Sequence, residues 1–342
     1  MSPHTKKLRL SPTGQLMPAY HPPTSGILSL VPSAWIPYLE LARVDRPTGI
    51  YHFYFPHLFG TLFAACNNGS FALHDLFITN IVLFGGSIFY RGAACSWNDF
   101  LDQDFDRQVS RCCLRPLARR ALTPYQGHCV TGVTALLALG CITFLPRECL
   151  LISVPSIILS VLYPFAKRFT NFPQALLGLQ LAIGFFMGAG AIEEKTGPHY
   201  YTESKHKETP SSHYISATAA FYLSNVCWTM VHDVVYAQQD AAEDAKAEIR
   251  SMAVHFNRWI KPLLFITTSL QVSLLFASGV WAGFGQGYFL LSCGLTTASL
   301  VYMLHAINLD DPSQCAWFFT TGQWFVNLST AAGLLLQYLS VV

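Results

Sequence analysis

Charge is what this sequence lacks: only 12% of its 342 residues are Asp, Glu, Lys or Arg, about half the roughly 25% of an ordinary soluble domain. With 52% hydrophobic residues and a mean hydropathy of +0.35, the chain reads as an integral membrane protein. The net charge of +2 is small, and the basic residues are spread over several stretches, so nucleic acid is not an expected partner. Cysteine pairing is absent as well. None of the ten cysteines forms a Cys-x-x-Cys pair, and Cys95, Cys141, Cys227 and Cys293 sit inside apolar runs. Neither a disulfide framework nor a zinc site is expected. The N-terminal stretch holds Lys6, Lys7 and Arg9 but no apolar core ahead of a small-residue cleavage site, so no cleaved leader is expected. No internal repeat is visible.

Long apolar runs are abundant instead. A spanning helix needs about 20 mostly apolar residues, and nine runs approach this: Thr48 to Cys66, Leu76 to Trp97, Gly127 to Leu145, Leu150 to Phe165, Phe172 to Ile192, Tyr214 to Val231, Pro262 to Trp281, Tyr288 to Ile307 and Ala316 to Leu339. The expected architecture is an all-α membrane bundle of about nine transmembrane helices. Residues 43–342 form one domain after an N-terminal segment, 1–42. One face of such a bundle collects about sixteen of the 21 Lys and Arg residues and the other about four, which places the first face in the cytosol. Ile27 to Val44 reads either as an interfacial helix on that face or as an irregular lead-in broken by Pro32 and Pro37. The opposite face carries the polar loop Glu193 to Ser212 and the glycosylation sequon Asn68-Gly69-Ser70. In the endoplasmic reticulum or another endomembrane, that sequon faces the lumen.

Two stretches carry chemistry. At the end of the second run, Asn98, Asp99, Asp102, Asp104 and Asp106 crowd together where an apolar helix meets water. On a helix Asp99, Asp102 and Asp106 share a face with Asn98 beside them, and Asp104 turns away. Like charges on one face call for a cation, and an oxygen-only set suits a hard one such as magnesium, which characteristically binds through one or two carboxylates plus substrate phosphates. After the sixth run Asp233, Tyr236, Asp240 and Asp244 fall at i, i+3, i+7 and i+11, again one helical face. Two acidic faces on one side of a membrane imply two metal positions. Arg107, Arg111, Arg115, Arg119, Arg120, Lys167, Arg168, Lys246 and Arg250 are expected on the same side. There Arg and Lys donors suit the charge of a departing diphosphate, although each also reads as ordinary cytosolic loop charge. Arg91, about two turns deeper than Asn98, is costly unless functional. Tyr163 and Lys167 stand one turn apart.

These residues resemble a known family. Asn98-Asp99-x-x-Asp102-x-x-x-Asp106 resembles the first aspartate motif of the UbiA prenyltransferases, and Asp240-x-x-x-Asp244, after Tyr236-Ala237 and before Lys246, resembles the second. Tyr163-Pro164-x-x-Lys167 and Asp45-Arg46-Pro47-x-Gly49 look like two shorter family motifs. The run Cys112-Cys113-Leu114-Arg115-Pro116-Leu117-Ala118-Arg119 is similar to fungal enzymes of meroterpenoid biosynthesis. The resemblance implies that Asp99, Asp102, Asp106, Asp240 and Asp244 hold two magnesium ions on a prenyl diphosphate. Arg91, Arg115, Lys167 and Lys246 are then counter-charges, Asn98, Asp233 and Tyr236 further substrate contacts, and Tyr51, Tyr54 or Tyr163 aromatic faces for an allylic cation. It implies a farnesyl donor and a polyketide-derived phenolic acid or pyrone acceptor. The alternatives are a 4-hydroxybenzoate polyprenyltransferase of ubiquinone biosynthesis and a UbiA-type terpene cyclase.

Overall fold

The computed structural model describes residues 18–67, 71–193 and 211–341. The sequon at Asn68, the cations Lys6, Lys7 and Arg9, and most of the loop from Glu193 to Ser212 lie outside the described residues. Every regular element among the described residues is helical.

The first elements among the described residues are a short 3-10 turn, Ile27–Leu30, and α1, Ile36–Leu41. A continuous interfacial helix over Ile27 to Val44 is not what forms. Proline is tolerated in the first turn of a helix but not in its interior, so Pro37 sits at the start of α1 and the segment around Pro32 stays non-helical. The long helices follow as α2 (Thr48–Asn67), α3 (Leu73–Asp106), α4 (Pro124–Ile142), α5 (Arg147–Phe169), α6 (Pro173–Glu193) and α7 (Ser211–Ala237). Two short helices, α8 (Ala241–Lys246) and α9 (Met252–Phe256), lead into α10 (Ile260–Ala282). The chain finishes with α11 (Gln286–Ala306) and α12 (312–339).

The chain is a multi-pass membrane protein. Helix occupies each of the nine apolar runs, and among the described residues six segments are long and apolar enough to cross a membrane: α3, α4, α5, α6, α11 and the stretch Met252–Ala282 that contains α10. The helices α2, α7 and α12 fall short of that measure because they carry His52, Asn225, His232, Gln323 and Asn327, all buried in protein. Polar groups within a membrane are expected to face the bundle interior rather than lipid.

Local chemistry sets several boundaries. The capping box of Thr123 and Gln126, with Pro124 in the first turn, starts α4. Gly283, at φ 69, ends α10 in the left-handed conformation that glycine adopts without steric cost. The α2 and α6 helices cross at backbone contact. A Cβ at Gly60 would collide with the Phe185 carbonyl, and one at Gly188 with the His57 carbonyl, so the small residues of Gly184-x-x-x-Gly188 allow the close approach. Around this crossing Phe59, Phe63, Phe185 and Phe221 form the aromatic centre of the largest core cluster.

One end of the bundle carries the unusual loops. Loop 107–123 after α3 and loop 238–251 after α7 are joined by Ser110, whose amide and hydroxyl donate to Glu243 at 2.6 and 2.7 Å. The second loop is also tied to the ends of α5 and α6. The Arg250 amide donates to the Lys167 carbonyl at 3.2 Å, and the Met252 amide to Gln174 Oε1 at 3.1 Å.

Candidate active site

Between those loops lies a cavity of about 480 Å³. From α3 it receives Asn98, Asp102, Phe105 and Asp106. Residues four apart on a helix stand one above the other, so 98, 102 and 106 form one stripe. Asp102 is buried and accepts from Lys167 Nζ at 2.7 Å, and buried Asp106 accepts from Arg115 at 2.9 Å. Asp104, paired with Arg107, is 83% exposed and turned away as the periodicity predicts.

Asp99 is placed differently from the expectation. One residue on from Asn98 it points about 100° around the helix, outside the cavity lining. There it is buried, and both of its oxygens accept from Arg43 Nη2 at 2.7 Å while Arg115 adds a contact at 3.1 Å. Arg43 was not singled out from the sequence. Its backbone is left-handed, at φ 62, an uncommon conformation for a residue with a side chain. It turns the chain between α1 and α2 and brings the guanidinium to Asp99. Arg91 does not reach the cavity either. Its guanidinium donates to the Arg43 carbonyl at 3.1 Å and so holds the backbone that presents Arg43.

The second acidic stretch is not one continuous helix. The α7 helix ends at Ala237 and α8 begins at Ala241, with a turn between them. Arg111 grips the Asp240 carboxylate through Nε at 2.9 Å and also donates to the Tyr236 hydroxyl, while Ser110 holds Glu243. The loop from α3 thus clamps the break. Asp233, Tyr236, Asp240 and Asp244 nonetheless all line the cavity, with Tyr163 and Lys167 from α5 opposite. Among the described residues no cation lies within ion-pair distance of Asp233 or Asp244. Burial, with Asp240 beside it, pushes the Asp244 carboxyl up to about 7, so this site favours a cation or a proton.

Three further expectations are not met at the cavity. Lys246 is exposed on α8 and outside the lining. Tyr51 packs on Trp324 with ring centroids 4.4 Å apart, and Tyr54 donates to Asn80 at 3.1 Å, so both serve the core instead. Tyr163 does line the cavity, with Lys167 Nζ 5.8 Å from its ring centroid. Arg168, Gln174 and Arg250 also line it. Arg168 and Arg250 carry only the signal of basic residues on the charged side, and Gln174, inside the apolar run Phe172 to Ile192, carries none.

The donor set fits magnesium completed by a diphosphate. Among the described residues no three carboxylates converge tightly enough to hold a cation alone, which matches an ion that takes one or two carboxylates and finishes its shell with phosphate oxygens. Asn98 Oδ1 is buried without a hydrogen-bond partner, a further oxygen at the same wall. Three helices around this cavity, α3, α5 and α6, also line an apolar cleft. It encloses about 360 Å³ and receives Ala93, Ala94 and Trp97 from α3, Ser160 and Val161 from α5, and Met187 from α6.

Known proteins share this plan. The model of the UbiA prenyltransferase family matches residues 53–329. A prenyltransferase of Acremonium egyptiacum, ascA, is 37% identical over 289 residues, covering 83% of this chain and 81% of its own. The DMOA farnesyltransferase nvfB of Aspergillus novofumigatus is 30% identical over 313 residues, covering 91% and 94%. Among solved structures, a UbiA homolog from Archaeoglobus fulgidus bound to DMAPP and Mg2+ superposes with a TM-score of 0.63. It is 16% identical, and the match covers 89% of this chain and 99% of that one.

Proposed function

The chain belongs to the UbiA prenyltransferase family, and from that membership we propose that it moves a farnesyl group from farnesyl diphosphate to a polyketide-derived phenolic acid or pyrone in meroterpenoid biosynthesis. The observation that carries this reading is the single cavity in which both aspartate stretches, Lys167, Arg111 and Arg115 meet, beside a cleft fit for an isoprenoid chain. The farnesyl assignment draws on the similarity to a relative whose name states that activity. The proposed membrane is that of the endoplasmic reticulum or another endomembrane, and the loop charge asymmetry supports an orientation with the cavity toward the cytosol.

Asp102 and Asp106 on α3, with Asp240 and Asp244 on the second loop, are the residues that would hold two magnesium ions, and Asn98 Oδ1, buried without a partner, would be a further oxygen for them. Bound there, magnesium would neutralise the diphosphate and make it a competent leaving group. Arg115, shared between Asp99 and Asp106, and Lys167, paired with Asp102, stand at the cavity wall, where they can turn toward a diphosphate and stabilise charge as the carbon–oxygen bond lengthens. The face of Tyr163 shields the allylic cation from water. Ring carbon of the acceptor then forms the new carbon–carbon bond, and loss of a proton restores aromaticity. Asp99 acts indirectly by fixing Arg43 and Arg115.

Membranes carrying the protein, given farnesyl diphosphate, magnesium and a panel of phenolic acids and pyrones, should yield a farnesylated adduct identified by mass. Consumption of the diphosphate without any adduct would point to a terpene cyclase. Preference for 4-hydroxybenzoate with a longer donor would point to ubiquinone biosynthesis.

A further inference from the structure

The loop after α3 is tied down at a point that the mechanism above does not use. Arg119, one of the cations expected beside a diphosphate, lies outside the cavity lining. Its side chain is only 14% exposed and divides its donors: Nη1 gives to the Leu114 carbonyl at 2.6 Å, and Nη2 to Glu40 Oε2 on α1 at 2.7 Å. The other Glu40 oxygen accepts from the Tyr20 hydroxyl at 2.9 Å. The Tyr20 ring also lies over the Arg119 guanidinium, its centroid 3.7 Å from the guanidinium carbon, so an ion pair, hydrogen bonds and a cation–π contact converge on one group.

The contacts continue from there to the cavity. Leu114 is followed by Arg115, which donates to Asp99 at 3.1 Å and to Asp106 at 2.9 Å. Asp99 also accepts from Arg43 Nη2 at 2.7 Å, and the Arg43 amide donates back to the Glu40 carbonyl at 3.1 Å. Glu40, Arg119, Leu114, Arg115, Asp99 and Arg43 thereby form a closed ring, joined by hydrogen bonds, ion pairs and the peptide bond between Leu114 and Arg115. Tyr20 is attached to it at two members, Glu40 and Arg119.

Such ties matter because loop 107–123 contains no regular helix, and a backbone without a ladder of its own takes its position from outside. Apolar support is small: Leu41 of α1 packs with Leu117 and Leu122 of the loop. In a network of polar contacts the loss of one link weakens the others. A donor misplaced by about 1 Å can slow a reaction by as much as a hundredfold, even when the change that misplaces it is remote from the chemistry. Arg120, next in sequence to Arg119, is exposed and has no place in the ring.

We propose that Tyr20, Glu40 and Arg119 are positioning residues for the transfer: an N-terminal clamp that fixes the Leu114 carbonyl and, through it, the reach of Arg115 toward the diphosphate. The effect on turnover rests on the transferase reading. None of the three lines the cavity, and Tyr20 and Glu40 precede the residues matched by the family model.

Glu40→Gln deletes the charge at near-constant volume, and Arg119→Lys keeps the charge but leaves one nitrogen to serve two acceptors. In either variant of the purified full chain the loop should loosen, and alkylation of Cys112, buried in the loop two residues before Leu114, should accelerate about tenfold, as read by mass on the digested protein. Cys149, fully buried on α5, should react no faster, and Arg120→Gln should change neither thiol. Unchanged Cys112 would show that the clamp does not hold the loop, and equal acceleration of both thiols would show only a general loosening of the bundle. Either result overturns the proposal. Turnover supplies the second arm: Glu40→Gln should lower kcat about tenfold, but cost little once Arg115→Lys has already broken the ring. A full tenfold loss in both backgrounds would mean that the clamp does not act through Arg115. Absence of any turnover in the unaltered protein would instead strike the transferase reading, while the alkylation comparison would still decide whether the clamp holds the loop.

Discussion

The carboxylates of α3 differ by a turn of a few residues and by everything that matters chemically. Asp102 is buried on the cavity wall against Lys167, and Asp104, two residues on, is exposed and paired only with its neighbour Arg107. Replacing Asp102 by Asn deletes a charge beside the departing diphosphate and leaves Lys167 without its partner. A loss of roughly 3 kcal/mol of transition-state stabilisation slows turnover about a hundredfold. Asp102→Asn is therefore expected to be nearly inactive and Asp104→Asn to keep most activity, as measured by initial rates on equally expressed, correctly inserted variants. The reverse order would mean that α3 presents a different face. Sequence periodicity separated these two residues correctly, but it could not separate Asn98 from Asp99. Adjacent positions lie on neighbouring sectors of one broad face, and the partner that marks Asp99's sector as separate from the cavity, Arg43, is distant in sequence.

At the scale of elements, apolar runs of spanning length located the helices well, because membrane burial makes hydrophobicity continuous over a whole span. Breaks inside helices were illegible. Nothing in the composition of 238–240 announces that α7 stops there, since the stop depends on Arg111 and Ser110 arriving from another loop. The π-helical turns at Phe289–Leu295 and Phe318–Gly322 are likewise unmarked in the apolar pattern of their runs. Glycine carries a clearer message once partners are known. At Gly188, within α6, any side chain meets the His57 carbonyl of α2, whereas at Gly140 in α4 a Cβ meets nothing within 4 Å. Gly188→Leu should separate two helices that touch at the backbone and destabilise the protein by roughly 3 kcal/mol, the upper range of overpacking. Gly140→Leu should be nearly neutral. Thermal unfolding of the two purified variants beside the parent provides the comparison, and equal midpoints would show that the α2–α6 crossing yields without cost.

For the molecule as a whole, the charge plan makes donor and metal binding interdependent. The cavity wall carries Asp102, Asp106, Asp233, Asp240 and Asp244, while Arg111, Arg115 and Lys167 are already engaged by Asp240, Asp106 and Asp102. A diphosphate entering alone brings more negative charge against carboxylates and must compete for those cations. Among the described residues, a divalent ion entering alone finds no three carboxylates converged to receive it. Together each completes the other's surroundings, so farnesyl diphosphate and magnesium should stabilise the fold jointly and hardly at all singly. A ligand present at a hundred times its Kd contributes about 2.7 kcal/mol, enough to raise the unfolding midpoint by several degrees. Chelator should remove both this shift and all turnover, and restored magnesium should return both. The apolar cleft supplies a control, because a farnesyl alcohol lacking the diphosphate can occupy it without drawing on the charged wall, and any shift it causes should ignore chelator. Full stabilisation by farnesyl diphosphate in excess chelator, with turnover intact, would leave the carboxylates without the role assigned to them and would require the guanidinium and ammonium groups alone to hold the leaving group.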